Sequence, residues 1–256
     1  MASYDFSTHR LFVTADLGPG ARFVLSHDQA NYLMNVLRMA QGQRFLAFNG
    51  RDGEWQVELS GGSRKAPEVL AVQQMRPQPD AGDLWYLFAP LKSARLDYMV
   101  QKAVEMGASR LVPVMTHRTV AARVNLERMR ANAVEAAEQC GILSVPDVAD
   151  PIRIESLVGA WQTDRILVWC DEDAPITNPL TALSSVQPGM PLALLIGPEG
   201  GFDAAEREKL LRLSNSLRIS LGPRILRADT AAVAALALLQ ACCGDMAIDA
   251  VHKGRA

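Results

Sequence analysis

Histidine and cysteine are scarce, four of each in 256 residues. The histidines, His9, His27, His117 and His252, are scattered, with no HExxH and no Cys/His cluster, so no metal site is expected. The cysteines, Cys140, Cys170, Cys242 and Cys243, form no CxxC pair. They would make an oddly sparse disulfide framework and read as reduced thiols of a cytoplasmic protein. Long apolar runs are missing too. The longest, residues 231–239, falls far short of the ~20 residues that a membrane span needs, so no membrane association is expected. The opening MASYDFSTHR lacks the basic-then-apolar layout of a secretory signal. Lysine is rare, five against 21 arginines. Glycine and proline are ordinary and aperiodic, which excludes collagen-like and low-complexity chains.

What is present is a chain 49% hydrophobic with a formal charge of −2, enough apolar material for one or two folded domains. The near-neutral total hides a local excess. Residues 92–130 hold eight basic side chains against three acidic ones. That is the electrostatic footprint of a nucleic-acid contact, or simply a solvated helix face. Arginine's planar fork suits phosphate.

The rhythm changes along the chain. RLFV, ARFVL, RFLAF and EWQVELS are short apolar or alternating runs, and Asn49-Gly50 with Asp52-Gly53 mark a hairpin. One helix interrupts them, with Ser26 capping HDQANYLMNVLRM. A small β-barrel with one helix fits residues 1–76. The Pro/Gly-bearing stretch from Arg76 to Gly82 is a boundary, and residues 77–256 form the second domain. There LWYLFA, RLVPVM, RILVWC, PLALLI and LRISLG alternate with helices near 93–106, 125–140, 203–213 and 229–243. Such alternation predicts an α/β fold with a mostly parallel sheet, whose ligands sit beyond the carboxyl ends of the strands.

Two of those strand ends carry unusual loops. Gly197-Pro-Glu-Gly-Gly-Phe202 leads into a helix opened by Asp203 and Glu206, and fits neither GxGxxG nor GxxxxGK[ST]. Glu199 in its midst would repel a phosphate. Ser220-Leu-Gly-Pro-Arg-Ile-Leu-Arg-Ala-Asp-Thr230 precedes a helix apolar nearly all round, which predicts burial. A nucleotide-dependent oxidoreductase is disfavoured because its first strand–helix unit, LFAPLKSARLD, has no glycine.

GPEGGF followed by SLGPRILRADT resembles the RsmE-type 16S rRNA (uracil-N3)-methyltransferases of the SPOUT superfamily. HRLFV, the segment ending NVLR and the NGRDGEW turn match that family's PUA-like RNA-binding domain, and LKSARLDYMVQKAVEMGASRLVPVMTHRTV matches the start of its catalytic domain. The resemblance implies transfer of a methyl group from S-adenosylmethionine to N3 of one uridine of small-subunit rRNA. It also implies a C-terminal trefoil knot, which the rule against knotted chains would not suggest, and a homodimer. One departure is visible: Ile142 stands where the family usually has Arg.

Carried over by position, the resemblance assigns the cofactor to Ile196, Gly197, Glu199, Gly200 and Gly201, to Leu221, Gly222, Ile225, Leu226 and Arg227, and to a third loop around Leu167 to Trp169. N3 of uracil must lose a proton, so a cation beside it helps; Arg227 or Arg224 is placed for this, and Glu199 is the candidate base. Arg10, Arg22 and Arg38, with Lys92, Lys102, Arg118 and Arg123, are candidates for RNA phosphates. Phe202 is a candidate for stacking on a flipped base, or a core residue. Two other readings are an RNA-binding assembly factor without catalysis and a related methyltransferase acting on another RNA position.

Overall fold

The computed structural model describes residues 7–121, 123–161, 164–175 and 178–247, with Ser93 described by its backbone alone. Residues 1–6, and His252, lie outside them. The chain forms two compact units: residues 1–80 with 137–145, and residues 81–136 with 146–256.

The first unit contains β1 (Arg10–Phe12), β2 (Arg22–Val24), α1 (His27–Asn31), β3 (Arg44–Phe48), β4 (Glu54–Ser63) and β5 (Ala66–Arg76). Its sheet runs β1-β3-β4-β5-β2, with β1 parallel to β3 and the other pairs antiparallel. No ladder joins β1 to β2 among the described residues, so the hydrogen-bonded path is open, yet the strands enclose one core. Trp55, Val57 and Leu59 alternate inward on β4 and meet Phe45, Ala47, Val69 and Leu33. The β3–β4 hairpin forms where Asn-Gly and Asp-Gly stand. The Asn49 carboxamide oxygen accepts from the backbone N–H of Arg51 and Asp52 at 3.0 and 2.9 Å, an Asx turn that closes the loop.

Ser26 caps α1 as expected, in a capping box whose other half is Gln29 Oε1 accepting from the Ser26 N–H at 2.9 Å. The helix then departs from expectation. After Asn31 it widens into a π-helical turn, Tyr32–Val36, and ends with Arg38 in left-handed backbone, φ 55°.

The second unit contains β6 (Leu84–Phe88), α2 (Ser93–Glu105), β7 (Arg110–Met115), α3 (Leu126–Cys140), β8 (Asp147–Val148), β9 (Ile152–Arg153), α4 (Ile154–Gly159), β10 (Ile166–Cys170), α5 (Pro179–Leu183), β11 (Leu192–Ile196), α6 (Ala204–Leu211), β12 (Ser216–Ile219) and α7 (Ala228–Cys242). The last turn of α3 lies with the first unit. The sheet order is β12-β10-β11-β6-β7-β8, with β9 beside β7, and every pair is parallel. Parallel strands buried on both faces need unbroken apolar runs, and β11, Leu-Ala-Leu-Leu-Ile, is buried at all five positions. The mostly parallel α/β sheet predicted from the alternating pattern is therefore present.

α2 packs Leu96, Met99, Val100, Ala103 and Val104 inward. Tyr98 points out and is 45% exposed. It lies two residues from Leu96, across the helix from it. α7 packs on α2, α5 and β11. It buries Ala231, Ala232, Ala235, Leu236 and Leu239, but Val233, Ala234, Ala237 and Leu238 are only partly covered, so the expectation of burial all round holds for one face. Residues 228–247 are long and apolar enough to cross a membrane by length and composition alone, but one face of this helix already serves the sheet.

Candidate functional site

Because the strands are parallel, β6, β7, β10, β11 and β12 all end at the same edge of the sheet. The loops after β10, β11 and β12 therefore emerge side by side. β10 lies between the other two, so the GPEGG and LGPRILR loops start about 10 Å apart, two strand spacings. The sheet brings together the two segments that the sequence singles out.

The GPEGG loop is held from both sides. Ile196 ends β11, and its carbonyl accepts from the Ala89 N–H at 2.9 Å. A Cβ on Gly197 would stand 2.9 Å from the Phe202 ring, so glycine is needed there for Phe202 to fold back beneath the loop. Phe202 is 3% exposed and meets Trp169 edge to face at 5.7 Å. It is a core residue, and a stacking role for it falls away. Arg118 Nη1 donates to the Gly200 carbonyl at 2.6 Å. Arg95 pairs with Glu199, both half-exposed. An exposed pair of this kind adds at most about 1 kcal/mol to stability.

α6 follows directly. Asp203 and Glu206 form the expected capping box, with Asp203 Oδ1 accepting from the Glu206 N–H at 2.8 Å and Glu206 Oε2 from the Asp203 N–H at 3.0 Å. Hydrogen bonds from the Glu206 and Ala205 backbone, with His117 and Arg118 nearby, hold the Asp203 carboxyl below the ordinary range despite partial desolvation. Glu206 also accepts from the His117 N–H at 2.7 Å, tying the loop after β7 to α6.

The loop after β10 corrects one expectation. Leu167 to Trp169 lie inside β10, fully buried, with Leu167 laddered to Ala193 and Ser216. Leu167 belongs to the core and offers no side chain at the strand edge. The loop begins at Asp171. Sequence reasoning passed over this residue, whose carboxylate is fully buried between two guanidiniums: Arg207 donates at 2.8 and 3.0 Å and Arg218 lies at 2.8 Å. A lone buried carboxylate would cost several kcal/mol, which two partners offset. Glu172 and Asp173 also lie within ion-pair reach of Arg207. Asp171, Glu172 and Asp173 are close enough to share a cation, but arginine already answers them. Burial, with Asp171 alongside, pushes the Cys170 thiol up to about 12, so it is not a nucleophile.

The loop after β12 is open. Gly222 has φ 98°, and no heavy atom lies within 4 Å of where its Cβ would stand, so the backbone there is bare. Leu221 and Leu226 are partly covered, Ile225 is fully exposed, and Arg224 and Arg227 are exposed. Arg227 is the N-cap of α7, which starts one residue earlier than expected. Bare backbone between apolar side chains fits a bent nucleoside held by main-chain groups, as S-adenosylmethionine would require.

The RNA-contact candidates separate. Arg10 is buried and bound to Glu54, which also accepts from Arg76 at 2.8 Å; its guanidinium serves the core of the first unit and not a phosphate. Lys102 pairs with Glu105 at 2.7 Å. Arg22, Arg38, Lys92, Arg118 and Arg123 are exposed. A cavity of about 180 Å³ lies at the strand edge, lined by Pro90, Leu91, Lys92, Arg95, Val120, Pro198 and Glu199. A larger one, about 530 Å³, sits elsewhere, around Trp85, Arg110 and Trp161.

This edge, with glycine loops on either side of β10 and exposed arginines beside them, is that of an enzyme that modifies RNA. Residues 78–240 match the RNA methyltransferase domain family, and residues 25–71 match the RNA methyltransferase PUA domain. The chain is 30% identical over 237 residues to the ribosomal RNA small subunit methyltransferase E of Mycobacterium bovis, covering 85% of each. It is 28% identical over 230 residues to that of Rickettsia conorii, covering 90% of this chain and 93% of the relative. A Legionella pneumophila protein solved with its bound cofactor SAM has the same fold, with TM-score 0.78, 28% identity, and coverage of 93% of this chain and 99% of that one. The chain belongs to the ribosomal RNA small subunit methyltransferase E family.

Proposed function

We propose that the protein transfers a methyl group from S-adenosylmethionine to N3 of one uridine in 16S ribosomal RNA, in the cytoplasm and as a homodimer. The observation that carries this reading is correspondence along both units with small subunit methyltransferase E proteins, together with the two glycine loops on one sheet edge. The knotted path of the C-terminal segments belongs to the same reading.

S-adenosylmethionine, when bound, supplies a methyl group made electrophilic by its sulfonium. The backbone of Ile196, Gly197, Glu199, Gly200 and Gly201, with Leu221, Gly222, Ile225, Leu226 and Arg227, would hold it. Arg118 fixes one loop through the Gly200 carbonyl. Arg224 and Arg227, both exposed in the loop leading into α7, add positive charge beside that set, and either would favour the charge that uracil gains on losing its N3 proton. Arg22, Arg38 and Arg123 would hold phosphates and make affinity fall with salt. The partly covered apolar face of α7 and the fully exposed Ile225 support a second copy of the chain.

The test is mass spectrometry of small-subunit RNA from a strain lacking the gene. Loss of one 3-methyluridine, restored by the purified protein with S-adenosylmethionine, is expected. Unchanged 3-methyluridine content would sink the assignment.

A further inference from the structure

We propose that the cavity bounded by Lys92, Arg95 and Glu199 seats the target base and selects uracil by its hydrogen-bonding edge. The inference rests on the uridine reading above and adds which residues choose the base. The cavity, about 180 Å³, has room for a single base and is built by the loops after β6, β7 and β11 and the first turn of α2. Pro90, Leu91, Val120 and Pro198 give it apolar walls that suit a ring. Its polar groups are two cations and one carboxylate.

That set matches one base. Uracil shows O2, N3–H and O4 along its pairing edge: acceptor, donor, acceptor. The complementary wall offers donor, acceptor, donor. Lys92 and Arg95 can only donate, and the Glu199 carboxylate can only accept. Arg95 Nη1 donates to Glu199 Oε1, so a donor and the acceptor already stand side by side. Cytosine would set its N3 lone pair against the carboxylate and its amino group against a cation, leaving both unpaired.

The same arrangement gives the N3 proton a destination. The Glu199 carboxylate accepts the hydrogen bond from N3–H, takes the proton and draws back with it, because the in-plane lone pair it uncovers is the one that must reach the methyl carbon; Lys92 and Arg95 at O2 and O4 stabilise the negative charge left on the ring. α2 opens immediately after Lys92 and has no acidic residue in its first turn, so the positive end of that helix favours the same charge. Pro198 and Glu199 belong to the GPEGG loop, so base and methyl donor would share one wall.

The experiment compares the full-length wild type with Glu199→Gln, Arg95→Gln and Lys92→Gln. Each is assayed on small-subunit RNA fragments carrying uridine, cytidine or 5-fluorouridine at the position mapped by mass spectrometry. S-adenosylmethionine affinity is read by calorimetry, and folding by thermal melting. Glu199→Gln is expected to lower kcat about 100-fold with donor affinity unchanged. The loss should shrink about tenfold on 5-fluorouridine, whose N3 proton is more acidic. Arg95→Gln and Lys92→Gln should raise KM for the RNA and weaken the preference for uridine over cytidine. Variants matching wild type in rate and preference would overturn the pocket, as would a Glu199→Gln loss that tracks donor affinity or ignores 5-fluorouridine. A wild type that neither binds S-adenosylmethionine nor methylates any fragment would instead overturn the enzyme reading.

Discussion

Glu54 shows how a single position can be more than it looks in sequence. On β4 it reads as one polar residue in an alternating strand, yet it is 3% exposed and lies between Arg10 and Arg76. Arg76 also donates to the Gly141 carbonyl at 2.9 Å, so the cluster ties residues 137–145 to the strands of the first unit. Burial raises the Glu54 carboxyl, but hydrogen bonds and charge from Arg76 and Arg10 outweigh it, and the net shift is downward. A group depressed in the folded state adds stability that is complete above its unfolded value, ~4.3, and is lost as pH falls through the lower folded value. Glu54→Gln should therefore destabilise the protein by about 3 kcal/mol at neutral pH. The gap in melting free energy from wild type should narrow below about pH 4. A gap that stays constant into strong acid would show that the pair is not the source. Arg10 was legible as a cation but not as a buried one, because its partner lies on another strand.

At the scale of elements, patterns with a period were readable and contacts between distant segments were not. The strands β3, β4, β6, β7 and β11, the helices α2, α3, α6 and α7, the Ser26 cap, the Asp203–Glu206 capping box and the Asn-Gly hairpin follow from spacing and cap chemistry. The two-residue strands β8 and β9 have too few side chains to show any alternation, and α4 and α5 are too short for a helical face. Leu167 was assigned to a loop because the end of β10 is set by its ladders to β11 and β12, not by its own residues. Asp171 was overlooked because its importance comes from Arg207 on α6 and Arg218 on β12. The glycine loops were found, and the sheet explains why they must be glycine. Gly197→Ala would press a methyl group into the Phe202 ring at 2.9 Å. It should cost about 1–3 kcal/mol and weaken S-adenosylmethionine binding together. Calorimetry and thermal melts on Gly197→Ala, with and without Phe202→Leu to relieve the crowding, would check this. If Gly197→Ala melts and binds as wild type does, the loop is not wedged as described.

For the whole molecule, the apolar side of α7 left by the sheet is the feature that reaches beyond one chain. Val233, Ala234, Ala237 and Leu238 line it, and Ile225 stands fully exposed in the loop before it. Under the homodimer reading, sedimentation should give two chains for wild type and one for Leu238→Glu, with weaker S-adenosylmethionine binding in the variant. A wild type that sediments as one chain at micromolar concentration would remove the dimer. The sequential make-up of the first unit has a different consequence. It takes residues 137–145 from the far end of α3, and Arg10 and Arg76 bond carbonyls there. A gene cut once near codon 80 would separate those arginines from their acceptors, so neither body can be transplanted as one uninterrupted stretch. The two units are interleaved along the sequence, so a contiguous graft of either has to carry part of the other.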